Sequence, residues 1–205
     1  MKCSPSIAVS TAALVCLPAL AGAQAPQAAP ASSGALMAPV HQVAAAVAAA
    51  PAELRDGAGV LGYHEKGKLV KLREGTNDMV CLAPDPARAD FHVACYHKAL
   101  EPFMARGRSL RAEGVQREQV DTVRFKEIKD GKLKMPSTPS ALYTLTGGSY
   151  DQATHKVTGG KWLYVVYIPG ATTASTGITD KAAPGVPWIM YPGTPKAHIM
   201  FFTGM

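Results

Sequence analysis

Residues 72–81, LREGTNDMVC, decide how the rest of the chain is read. The stretch opens as the end of a strand, bends through Gly75, Thr76 and Asn77, and returns as a short apolar run closing on Cys81. Asn77 can hydrogen-bond its own backbone and tolerates left-handed geometry; Thr76 does so more weakly. Upstream, residues 59–63 read as a strand and residues 64–67 as a turn, with Gly67 suited to positive φ. Residues 68–73 are the return strand and residues 79–82 a third strand. Connections this short predict an antiparallel three-stranded meander.

The only other cysteine beyond the first 23 residues is Cys95. Those 23 residues have the form of a signal peptide: Lys2 as the positive start, an apolar run over residues 7–20, and the small-x-small site Ala21-Gly22-Ala23. Val15 before Cys16 is too large for the usual lipidation site, so the expected product is soluble and periplasmic or secreted. No later run reaches the roughly 18 apolar residues of a spanning helix, so no transmembrane segment is expected after cleavage. An even pair of cysteines in an oxidising compartment predicts a Cys81–Cys95 disulfide. Closing a loop of roughly 15 residues contributes about 3 kcal/mol by the chain-entropy estimate. The alternative, a redox dithiol, normally uses Cys-x-x-Cys, and no Cys-x-x-Cys-His haem site occurs.

The 205 residues are 47% hydrophobic, enough for one domain with a core. Residues 24–38 are an uncharged Ala/Pro/Ser-rich linker, leaving residues 39–205 as a single domain. The formal charge is +6, and removing Lys2 leaves 20 basic against 15 acidic residues. The two signs are interleaved, so no basic stripe marks a nucleic-acid partner.

Val40, Val43, Ala44 and Val47 fall at helical spacing, with Pro39 at the first position and His41 on an exposed side. Residues 91–112 read as helical, with Leu100, Phe103, Gly107 and Leu110 on one face and the main helix starting near Glu101. Residues 116–129 suit another helix, or part of a strand. Strands follow at residues 141–146 and 162–168, the second without alternation and so central. A polar hairpin loop joins them; residues 188–191 are a short apolar run, and residues 198–202 a last strand. The expected fold is α+β, an antiparallel or mixed sheet of about five to six strands with two or three helices packed on one side and one disulfide.

LREGTN followed by Cys81 and Cys95, a tyrosine strand, and the late His198-Ile199-Met200 resemble a family of exported bacterial proteins of uncharacterised function. Its first motif reads LREGTNGWTC and its last PHIM; here Asp78-Met79 replace Gly-Trp and Ala197 replaces proline. The likeness spans residues 48–202. It implies export and the domain limits, and no activity.

Candidate site residues are the polar ones around the bend and on the last strand: Arg73, Glu74, Asn77, His97 and His198. His92 and His97 bracket Cys95, but a spacing of five is poor for ligands on one helix face, so no metal and no cofactor is expected. Thr172, Thr173, Ser175 and Thr176 lack a phosphate fingerprint, and Ser149 lacks a Gly-x-Ser-x-Gly elbow. With no complete catalytic set, the expected function is a non-catalytic periplasmic binding or envelope-interaction module, its partner a small molecule or an envelope component. The alternative is a histidine- or metal-dependent hydrolase using His198 with Glu74 or His97.

Overall fold

The computed structural model describes residues 36–65 and 67–203. The leader at residues 1–23, residues 24–35 of the linker, Lys66 of the first turn and residues 204–205 lie outside the described residues. Helix α1 (Pro39–Val47) precedes the hairpin β1 (Gly59–Glu65) and β2 (Lys68–Arg73), then β3 (Met79–Leu82) and β4 (His92–His97). Helices α2 (Glu101–Ala112) and α3 (Arg117–Lys129) come next, then β5 (Ser140–Thr146) and a small hairpin of β6 (Ser149–Asp151) and β7 (Lys156–Thr158). Strand β8 (Lys161–Tyr167), the one-turn α4 (Thr173–Thr176), β9 (Trp188–Met190) and β10 (His198–Thr203) complete the order.

The class is α+β with one mixed sheet, and the Cys81–Cys95 disulfide is present. Among the described residues the sheet has eight strands, β2-β1-β3-β4-β5-β8-β10-β9, rather than five or six. β8 is internal, as its unbroken apolar run predicts.

Two local expectations are corrected. First, β3 does not extend a meander beside β2. The chain crosses the end of β1 and lays β3 on its far side, parallel to it, with Gly59 opposite Val80 and Leu61 opposite Leu82. Residues 74–78 make this crossing because two glycines meet there: a Cβ on Gly75 would lie 2.7 Å from the Gly59 nitrogen. Second, residues 92–97 are strand, not the start of a helix, and pair with both β3 and β5. Val93 and Cys95 enter one core while Tyr96 enters the other, so the strand shows no polar–apolar alternation. Helical structure proper begins at Glu101, where α2 buries Phe103, Gly107 and Leu110. Residues 117–129 take the helical of the two readings left open for them.

Cys81 and Cys95 face each other directly in the β3/β4 register, their Cα atoms 4.0 Å apart. The bridge therefore joins neighbouring strands, not the bend to a following helix.

Helices α2 and α3 share one side of the sheet, where Leu100 and Phe103 pack with Tyr96, Val165 and Tyr167. Helix α1 and the turn after it cover the opposite face with Ala46, Ala49 and Ala50 over Val60, Cys81, Val93 and Cys95. Its facing is in part the expected one: Val43 and Val47 pack against that core, while Val40 is 63% exposed and the fully buried apolar side chains are alanine. Small side chains let the backbone come close, and Cys95 Sγ lies 3.3 Å from the Ala46 carbonyl oxygen.

Gln42 completes that docking. β3 stops opposite Leu61, so Tyr63, the next residue of β1 facing that side, has a strand partner only in β2. The Gln42 amide takes the strand's place: its Nε2 donates to Tyr63 O at 2.8 Å, and its Oε1 accepts from Tyr63 N at 2.7 Å. Gly62 makes room, since a Cβ there would lie 2.6 Å from Gln42 Oε1.

Candidate functional site

The bend predicted to carry polar site residues turns its hydrogen-bonding groups inward. Arg73 donates from Nε to Ala58 O at 2.9 Å and from Nη2 to Arg55 O at 2.6 Å. Asn77 Nδ2 donates to Leu54 O at 2.8 Å, and Asn77 Oδ1 accepts from Met79 N at 3.0 Å. The Thr76 and Asn77 amides both donate to Gly57 O. All but the local Asn77–Met79 bond clasp the segment entering β1, and this holds the crossing in place. Glu74 is exposed and pairs with Lys71 at 2.8 Å, an arrangement that water and salt largely screen.

The histidines stand elsewhere. His97 ends β4, where its Nδ1 accepts from Ala99 N at 3.2 Å and its Nε2 lies 3.7 Å from Asp78. His198 is buried at the start of β10, 4.9 Å from the Tyr167 ring and 5.8 Å from the Tyr191 ring between centroids. Its Nδ1 is 2.7 Å from Lys196 O, an acceptor only, so that nitrogen carries the proton. Burial holds its pKa below the usual imidazole value. Strands β5 and β8 stand between β4 and β10, which puts His97 and His198 three strand spacings, about 14 Å, apart. Glu74 is farther still, across β3. The structure thus brings Arg73 and Asn77 together in one bend and does not bring His198 to Glu74 or His97. Among the described residues, no three of His, Cys, Asp and Glu gather into a metal-holding group.

A different set of residues does converge. The side of the sheet that α2 and α3 cover at β4, β5 and β8 is left open toward β1 and β2, and a groove of about 660 Å³ runs between that open end and α2. Its floor is a row across four strands: Leu69 from β2, Tyr63 from β1, Leu82 from β3 and Ala94 from β4. Tyr63 faces Leu69 and Leu82 faces Ala94 in the strand registers, so the floor follows directly from the pairing. One wall is α2 with Arg108 and Arg111, continued by Arg117 where α3 opens. The other is the loop after β3, with Asp85 and Arg88.

The arginines differ in what holds them. Arg108 donates to Glu101 at 2.6 Å and to the Tyr96 hydroxyl at 2.9 Å, and Arg88 grips Asp90 with two nitrogens. Neither Arg111 nor Arg117 has an ion pair among the described residues. Burial, then the charges of Arg124, Arg108 and Arg117, lower the Arg111 pKa, although a guanidinium stays charged near neutral pH. Burial pushes the Tyr63 phenol up to about 12, so it lies in the groove as a neutral ring. His92 also lines the groove, its Nδ1 2.8 Å from the Thr146 hydroxyl, and burial followed by Arg88 lowers its pKa. A neutral aromatic and aliphatic floor under cationic walls is suited to holding a molecule. Among the described residues the lining holds no Ser, Cys or Lys; its titratable groups besides arginine are Tyr63, Asp85 and His92.

The sequence reading passes over these residues because seven separate segments supply them. One signal was present: four arginines within residues 106–117, two of them, Arg108 and Arg111, three apart on one helix face. Searches against protein-family models, curated proteins and solved structures find no match for this chain.

Proposed function

We propose that this chain is an exported, disulfide-bonded binding module that takes a small ligand in the groove between α2 and the open end of the sheet, and performs no chemistry on it. The observation that carries the reading is the groove itself: concave, floored by Tyr63, Leu69 and Leu82, and rimmed by a few polar groups, the usual make-up of a small-molecule site. The signal-peptide pattern of residues 1–23 and the Cys81–Cys95 disulfide support a periplasmic or secreted location. The ligand is a free small molecule or a group displayed by the cell envelope.

A protein-observed NMR fragment screen tests this. Binding fragments are expected to shift the amide signals of Tyr63, Leu82 and Ala94 together. Ala112, an exposed residue at the mouth of the groove, offers a plug: Ala112→Trp is expected to abolish those shifts with the fold intact. Hits that cluster away from the groove, or that survive the plug, overturn the reading.

A further inference from the structure

Building on that binding reading, we infer that the ligand carries a phosphate monoester, held between Arg111 and Arg117 with its organic body lying on Tyr63 and Leu82. The basis is which cations remain unpaired. Arg108 is neutralised by Glu101 and Arg88 by Asp90, whereas Arg111 and Arg117 have no ion-pair partner among the described residues. Arg111 stands among Arg108, Arg117 and Arg124, with Asp121 opposing their repulsion. Since none of these groups gives up its proton near neutral pH, an anion from outside relieves the cluster.

The number of guanidinium forks selects the anion. A carboxylate offers two oxygens, enough for one fork. A phosphate monoester offers three terminal oxygens and nearly two charges, which suits two forks arriving from two helices. Inorganic phosphate would leave the apolar floor uncovered, so the group comes attached to a body that covers Tyr63. Asp85, on the facing wall, accepts a hydrogen bond from Ala87 N and repels a second anion at that end, which fixes the ligand's direction. A soluble ester and the phosphate of a lipid headgroup share this chemistry.

The test titrates the full disulfide-bonded chain with phenyl phosphate, using benzoate and benzyl alcohol as controls of similar size, and follows the NMR signals of Tyr63 and Arg111. Phenyl phosphate is expected to bind about tenfold or more tighter than benzoate. Arg111→Ala or Arg117→Ala is expected to weaken it about tenfold, and Arg111→Lys by less, because lysine keeps the charge but loses the fork. Equal binding of all three probes in the groove overturns the phosphate assignment and leaves the binding reading standing. No shift at Tyr63 from any probe overturns the phosphate assignment; a blank fragment screen as well overturns both. Cosedimentation with phosphatidylcholine vesicles containing phosphatidic acid separates the sources. Capture that is lost in Arg111→Ala assigns the ester to a membrane surface. Phenyl phosphate binding without capture assigns it to a soluble ligand.

Discussion

The bend at residues 73–77 and the wall formed by Arg108, Arg111 and Arg117 are both dense in polar side chains, and they use them in opposite ways. In the bend, Arg73 and Asn77 direct their donors to main-chain carbonyls at Leu54, Arg55 and Ala58. In the wall, only Arg108 is paired. The contrast teaches that the richness of a motif in polar residues says little about binding; what counts is whether the groups are still free once the chain has folded. A buried carbonyl that loses its donor costs stability, whereas an unpaired surface cation costs little to remove.

Three experiments break or sharpen that contrast. The largest effect is expected where the bend runs on into Cys81: replacing Cys81 and Cys95 together by alanine lowers stability by about 3 kcal/mol, read from urea unfolding. Next comes the bend itself. Asn77→Ala leaves Leu54 O and Met79 N without their partner and is expected to cost about 2 kcal/mol, while Arg111→Ala changes stability by about 0.5 kcal/mol or less. Equal losses at the two positions would erase the distinction between them. The smallest effect concerns the buried imidazoles. His92 and His198 both have pKa values lowered chiefly by burial. Below about pH 6.5 the unfolded chain takes up protons that the folded rings still refuse, so stability is full above that value and falls as pH drops through the depressed folded pKa values. The urea midpoint should therefore be lower at about pH 5 than at about pH 8, with a shallower slope in His198→Asn. A phosphate ester in the groove should raise the pKa of His92 and leave that of His198, at the far end of the sheet, unchanged.

Much of the framework was legible in local pattern. The Cys81–Cys95 pair, the face of α2 with Phe103 and Leu110, and the central place of β8 each follow from spacing or composition. The parallel β1/β3 pair was not, because it depends on a contact between the backbones of Gly75 and Gly59 that no periodicity encodes. β4 was hidden for a related reason. Val93, Cys95 and Tyr96 are apolar toward both cores, and a short run of that kind looks the same as the first turn of the helix after it. α1 was legible in part: Val43 and Val47 pack on the core as their spacing promises, but Val40 is exposed and the closest packing is made by alanine. The groove lay beyond any reading of one segment. Arg108, Arg111 and Arg117 stand within ten residues of each other, but the floor that turns them into a site comes from four strands whose order the sequence does not announce.

One side-chain amide has a consequence for the whole front of the domain. Gln42 impersonates a ninth strand for the length of a single residue, and the residue it grips, Tyr63, is also the tile on which a guest in the groove would rest. The leading helix and any occupant therefore share a fulcrum. A pull on the chain ahead of Pro39 would load the Tyr63 peptide group, and a guest resting on that ring would load the same residue from the other side.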